Sequence, residues 1–377
     1  MGAGVNESVG STPERRCFLD RLRVLLTTLV VFHHAAITYG AAGDWFYRER
    51  VPDSSAFSLA LTLFCAVNQS YFMGMFFLMA GYFTPDTLRR KGPHDYLRDR
   101  LLRLGVPLMV FGLVLGPLTV QLARGATFAS LQLWFTTDAV GQFVMGPLWF
   151  CWALLIFSLV GVWLCYSRMG TGLATMPNTS SMLVSAACVG LGAFTVRLMV
   201  PVGQSVMGLQ LGYFVSYLFL FVIGCMAAPH KLLEKPALAQ VSPLATVSLF
   251  TAPLLPVLIL ICEQMDVPLT SFGGGWNWAA LAYAMWEPLV AWGIIAWLLY
   301  WGRLRLNRPS KFWAYLSSNA YGAFVVHAPV LVLVSLGLSV TALPTPVKFL
   351  LVATLATLLS FGIAFALRTS VLIRKVL

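Results

Sequence analysis

The chain has 377 residues, of which 59% are hydrophobic and only 10% charged, and its mean hydropathy is +0.80. A soluble domain needs about a quarter charged residues, so this composition excludes one and describes an all-α integral membrane protein. The formal charge of +11 does not point to nucleic acid, because the cations sit in short loops between apolar runs, where membrane topology accounts for them. Residues 1–17 are polar and read as a disordered cytoplasmic tail, and 18–377 read as one polytopic membrane domain. The first apolar run follows that polar leader with no evident cleavage site and is expected to remain as an anchor. Ten spans are predicted, at about 19–40, 58–83, 104–122, 147–166, 183–201, 211–228, 243–262, 277–301, 313–337 and 347–368.

With the N-terminus inside, twenty of the 25 Lys and Arg residues fall on the cytoplasmic side; the others are Arg48, Arg50, Arg124, Arg197 and Lys348. That bias predicts ten spans with both termini cytoplasmic. The opposite loops carry Trp45, Phe46, Tyr47, Trp134, Trp276 and Trp278, as an interfacial aromatic belt would, and 124–146 has room for a short surface helix. The seven cysteines are scattered without a C-x-x-C pair and read as packing residues, so no metal site is expected. No further catalytic domain is expected beyond the last span.

The first span opens on Asp20-Arg21-Leu22-Arg23 and carries His33-His34 deep inside. Eleven residues at about 100° each bring His34 to within about 20° of Arg23, roughly 16 Å further along. One face therefore holds a cation at the membrane surface and an imidazole near the midplane, an expensive arrangement that marks function. His34 is a candidate general base or else a packing histidine, the two weighing evenly on position alone. His33 points about 80° away, as a helper or as core. Asp20, one turn below Arg23, is its ion-pair partner or orients it toward a ligand.

Arg100 and Arg103 share a face at i,i+3 ahead of the third span, on the membrane side of Arg23. Positive-inside topology explains Arg89, Arg90 and Lys91, whereas Arg23, Arg100 and Arg103 together form a candidate bidentate phosphate clamp. Glu287 lies mid-span beside Pro288, where it has three open roles: orienting His34, binding an acceptor hydroxyl, or satisfying a freed backbone donor. His327 sits at similar depth in the ninth span, and Asn68, Gln69 and Tyr71 form a polar band in the second. Arg197 fits a cation snorkelling to the outer interface, and Trp149 an interface anchor before a pocket wall. Gly273-Gly274-Gly275 lacks a following Lys-Ser/Thr and carries no nucleotide role. A proton-coupled transporter using His34, Glu287 and His327 is the competing class, although no repeat relates the two halves.

Arg23-x10-His34 resembles the Arg/Lys-x10-His signature of the acyltransferase 3 family of membrane O-acyltransferases. Arg100-x-x-Arg103 before Leu104-Gly105-Val106-Pro107 resembles that family's second arginine motif, and the run from Phe72 to Phe83 its second span. The segment around His327 resembles its penultimate span, and the likeness extends from about Leu19 to the C-terminus, closest to the single-domain, glucan-biosynthesis-protein-C-like members. The resemblance implies transfer of an acyl group, usually acetyl or succinyl, from cytoplasmic acyl-CoA to a hydroxyl of a glycan or other acceptor. It implies His34 as the base and Arg23, Arg100 and Arg103 as the donor's holders, with acyl-CoA a co-substrate and no permanently bound cofactor.

Overall fold

The computed structural model describes residues 17–125, 143–167 and 172–377, and among them there is no β-strand, only two isolated bridges. The helices are α1 (Cys17–Thr38), α2 (Ala56–Arg100), α3 (Val106–Val110), α4 (Gly116–Ala123), α5 (Trp149–Tyr166), α6 (Thr179–Met199) and α7 (Phe214–Ala227). They continue with α8 (Leu238–Thr251), α9 (Leu254–Gln264), α10 (Trp278–Arg305), α11 (Lys311–Ser339), α12 (Thr345–Arg368) and α13 (Val371–Val376). Side-chain caps set several starts: Ser55 accepts from the Ser58 amide, Asn178 from Ser181 and Asn277 from Ala280, each satisfying an orphan first-turn donor. In the loop before α2, Asp53 accepts from the Ser55 hydroxyl and amide and from Arg50, which hold its carboxyl down to about 2.

Among the described residues, seven helical runs are long and apolar enough to cross a membrane. The difference from ten expected spans has three sources. In α1 the arginines and histidines dilute the apolar run. Helix α7 has 14 residues, about 21 Å, which is short for a hydrocarbon core of about 30 Å. The second and third expected spans are joined in one helical run, Ala56–Ala123. That run of 68 residues would measure about 100 Å if straight. It is not straight. Gly92, at φ +76° and ψ 168°, adopts a backbone that side chains disfavour, and Pro93 starts the next helix with φ already set. The Thr84 hydroxyl lies 3.2 Å from the Tyr96 hydroxyl, twelve residues on, so the chain doubles back at Gly92. Leu101–Gly105 and Phe111–Leu115 are π-helical turns on either side of α3.

Helix α1 is central, packing against α2, α10, α11 and α12. Helix α2 packs along α7 at a glycine crossing, where a Cβ on Gly81 would strike the Phe221 carbonyl and one on Gly224 the Leu78 carbonyl. Such small-residue contacts let helix backbones approach where lipid supplies no hydrophobic drive. Helix α10 packs against α6 and α8. One end of this bundle gathers the starts of α1 and α11 and the Gly92 turn. The other end carries the strap, residues 39–55, between α1 and α2. The surface helix expected within 124–146, Trp134 and residues 1–16 lie outside the described residues. Trp276 is 85% exposed, as a belt residue would be, but Trp45 is not on the surface belt.

Candidate active site

Helices α1 and α11 bring two histidines together inside the bundle. His34 Nδ1 lies 3.1 Å from His327 Nε2, and the rings are nearly parallel with centroids 5.2 Å apart. His327 is fully buried, and its Nδ1 lies 2.6 Å from the Phe324 carbonyl oxygen. A carbonyl only accepts, so His327 Nδ1 carries the proton and donates. In a neutral imidazole that leaves Nε2 with a lone pair, which must accept from His34 Nδ1–H. His34 Nε2 is then the unprotonated nitrogen, and no described residue hydrogen-bonds to it. One carbonyl thus fixes the tautomers of both rings, and the outcome is a base with its lone pair free. Pro329, two residues past His327, cannot donate to the Val325 carbonyl and weakens the helix ladder at this level.

The ring of Trp45 lies against His34, 3.8 Å between centroids and 11° from parallel; it also lies nearly parallel to His327 at 5.9 Å and meets the edge of Phe46 at 5.0 Å. His33 turns away from this pair and stacks on Phe72 at 5.1 Å. It meets His34 only edge to face at 5.5 Å. His33 is buried, and its Nδ1 has no hydrogen-bond partner among the described residues.

At the arginine end, Arg23 donates to Asp20 at 3.3 Å, and both side chains are about a third exposed (35% and 34%). An ion pair so wet is worth roughly 0–1 kcal/mol, leaving the guanidinium available to a ligand. Arg23 also lies over the Phe83 ring at 5.9 Å, and Arg100 is close enough for its charge to act on Arg23. Arg100 rests on the Tyr96 ring at 5.0 Å. Arg103 is exposed, in the π-helical turn that starts the return segment, and its carbonyl accepts from the Tyr321 hydroxyl at 2.6 Å. Both Arg100 and Arg103 act electrostatically on Tyr321. Tyr321 stands on α11 six residues before His327, about 9 Å, so α11 connects the arginine end to the histidine pair.

Glu287 is elsewhere. It is buried, and pairs with Arg197, which is wholly buried on α6; Arg197 also donates to the Gly212 carbonyl at 3.1 Å. The rings of Tyr213 and Tyr283 face the same guanidinium at 5.2 and 5.3 Å. Arg197 therefore does not snorkel to the interface: a partner inside the bundle holds it where lipid alone would expel it. Nor does Glu287 orient His34, whose Nδ1 is engaged by His327. Tyr71 donates to Asn68 Oδ1 at a long 3.5 Å, and Gln69 donates to the Tyr217 hydroxyl at 3.0 Å. Trp149 stacks on Tyr217 at 5.8 Å and meets Phe77 and Phe214, so it walls the aromatic interior and is not an interface anchor.

The family model described as an acyltransferase domain, acyltransferase 3, matches residues 17–369, nearly the whole chain and every residue of this site. The chain belongs to the acyltransferase 3 family. A curated relative, glucans biosynthesis protein C of Shigella dysenteriae serotype 1, is 26% identical over 195 residues, covering 49% of this chain and 49% of that protein. Two Escherichia coli proteins of the same name, from strain SMS-3-5 / SECEC and from O1:K1 / APEC, are each 25% identical over 195 residues with the same coverage. The chain thus spans about half the length of the curated relatives it matches. No solved structure matches it significantly.

Sequence reasoning misses two parts of the site in this family member, Trp45 and Tyr321, and one pairing outside it. Trp45 was grouped with the aromatic belt, and no local pattern tells a surface tryptophan from one folded back onto a histidine. Tyr321 carried no motif at all. The partner of Glu287 was missed, although Arg197 and Glu287 are both ionisable residues in apolar helices, which is the signal for such pairs.

Proposed function

We propose that the protein is a membrane O-acyltransferase that moves an acyl group, acetyl or succinyl, from acyl-CoA to a hydroxyl of a glycan or other acceptor. The observation that carries this reading is the fixed relay from the Phe324 carbonyl through His327 to His34, which leaves His34 Nε2 unprotonated. As the acceptor oxygen attacks the thioester carbonyl, Nε2 takes the hydroxyl proton. The C–S bond breaks, and the proton on His34 passes to the departing CoA sulfur, giving an ester and free CoA. His327 accepts from Nδ1–H throughout and steadies the transient imidazolium. Arg23, Arg100 and Arg103 hold the phosphates of the donor, with Asp20 orienting Arg23. A water-poor passage between the arginines and His34 protects the thioester from hydrolysis.

The arrangement proposed in the membrane is ten spans with both termini cytoplasmic, in a bacterial inner membrane. The arginine end then faces the pool of acyl-CoA. A glucan is the acceptor suggested by the names of the relatives. No resident cofactor or metal takes part in this scheme.

The deciding experiment is saturable binding of acetyl-CoA, succinyl-CoA and free CoA to purified protein in detergent, wild type against Arg23→Ala. The reading expects binding that weakens about tenfold to a hundredfold in the variant, with the tighter thioester naming the donor. Absence of binding by folded wild-type protein would overturn it, and proton-coupled flux would become the activity to measure.

A further inference from the structure

The turn that carries the second pair of arginines has a gap in its backbone hydrogen bonding written into the sequence. In an α-helix the Arg103 carbonyl would accept from the amide four residues on, but residue 107 is proline and has no N–H. The segment is π-helical over Leu101–Gly105, and α3 starts just beyond it, with Pro107 in its first turn. Apolar grip on the bundle is one-sided here. Leu104 and Leu108 pack into the core, whereas Leu101, Leu102 and Val106 stand exposed.

The missing donor comes from another helix. The Tyr321 hydroxyl of α11 donates to the Arg103 carbonyl at 2.6 Å, across 218 positions of sequence. A carbonyl only accepts, so the Tyr321 proton is committed to this bond and the phenol oxygen is left as an acceptor. The thiol of Cys151, fully buried in the first turn of α5, lies 3.5 Å from that oxygen and is the donor of the second contact. One hydroxyl thus joins the arginine turn to α11 and α5.

The tie lies among the guanidiniums. The charges of Arg100 and Arg103 both reach Tyr321, and that of Arg100 reaches Arg23. Three residues after Tyr321, Phe324 supplies the carbonyl that fixes the histidine tautomers, and His327 follows three residues later. One helix therefore holds the arginine turn at Tyr321 and the base's partner at His327, about 9 Å apart along its axis. A donor with its phosphates on the arginines and its thioester at His34 needs that separation fixed, because a small displacement of the bound group moves the reacting atoms out of line.

We propose that Tyr321 is a positioning residue of the donor site: its hydroxyl replaces the backbone donor that Pro107 lacks and sets the Arg100–Arg103 turn against α11, in register with the His34–His327 pair. This assignment rests on the acyltransferase reading. Tyr321 acts through the arginines and not on the reacting atoms.

Tyr321→Phe removes the hydroxyl and keeps the ring. In the full chain in detergent it is expected to weaken acetyl-CoA binding about threefold to tenfold, the scale of one hydrogen bond. Turnover at saturating labelled acyl-CoA should stay within about twofold of wild type, because His34 and His327 are untouched. In an Arg100→Ala, Arg103→Ala background, which lacks the phosphate contacts, adding Tyr321→Phe should cost no further affinity. Cys151→Ala removes the hydroxyl's other neighbour and should bind acetyl-CoA as wild type does. Unchanged affinity in Tyr321→Phe overturns the assignment. So does an equal loss in both backgrounds, the mark of a merely structural tyrosine, or a matching loss in Cys151→Ala, the mark of packing. Lost turnover at unchanged affinity also overturns it by moving Tyr321 into the chemistry. Wild-type protein that binds no acetyl-CoA overturns the reading beneath it.

Discussion

The bundle has two buried polar centres of opposite design, the His34–His327 pair and the Arg197–Glu287 pair. Each joins side chains from separate helices at a depth where ionisable residues are costly. In the first, two imidazoles are linked in one direction from a carbonyl, so that with both rings neutral a lone pair is left over at His34 Nε2. In the second, opposite charges meet, with the Gly212 carbonyl and two tyrosine rings enclosing the guanidinium. Depth and residue type, which mark His34, His327 and Glu287 alike as ionisable residues inside the membrane, do not separate a base from a clamp. Hydrogen-bond direction does.

The comparison can be broken most sharply at His34. His34→Ala should lower acyl transfer about 10²- to 10⁴-fold at an unchanged unfolding temperature, measured by turnover of labelled acyl-CoA beside a thermal melt. Near-wild-type turnover would remove His34 as the base. The other centre should respond in stability: Arg197→Ala alone leaves a buried carboxylate and should cost about 3–5 kcal/mol of folding free energy. Replacing both members, Arg197→Met with Glu287→Leu, should restore most of that loss, because an apolar pair of similar volume carries no desolvation penalty. A stable double variant that has lost turnover would move Glu287 from clamp to chemistry.

A smaller effect tests the relay. His327→Ala should reduce turnover about tenfold to a hundredfold with acyl-CoA affinity intact, since His34 keeps its nitrogen but loses the acceptor that selects its tautomer. Tightened or lost acyl-CoA affinity would instead place His327 in donor binding. The smallest effect is at Asp53, outside both centres. Its carboxyl is depressed to about 2 in the folded chain, against about 3.9 unfolded, so its contribution is fully present above about pH 4 and is lost as pH falls through about 2. Asp53→Asn should therefore lower the melting temperature slightly at pH 7, with the gap to wild type closing at strongly acid pH. A gap that stays constant with pH would assign the effect to the Ser55 hydrogen bonds and not to charge.

How much of this was legible beforehand depends on the range of the interaction. The register of Arg23 and His34 follows from helical geometry inside one element, and the Asp20–Arg23 pair from its i,i+3 spacing, so both could be read from α1 alone. Arg100 and Arg103 were placed with Arg23 by topology, and the structure brings Arg100 into electrostatic reach of it. The apolar runs likewise announced helices, but the count differed where local physics left a choice. Gly92 and Pro93 let two runs join through one turn, and α7 is too short to declare itself by length.

What the amino-acid sequence determined by itself was composition, helical periodicity and the resemblance carried by short motifs, because each depends on neighbours along the chain. Only the tertiary structure decided which deep residues meet: His34 with His327 across 293 positions, and Arg197 with Glu287 across 90. It also decided that Trp45 folds onto the histidine instead of facing the interface. Hydrogen-bond direction and ring stacking act over a few ångströms between helices, and no periodicity within a single helix encodes which partner will stand opposite.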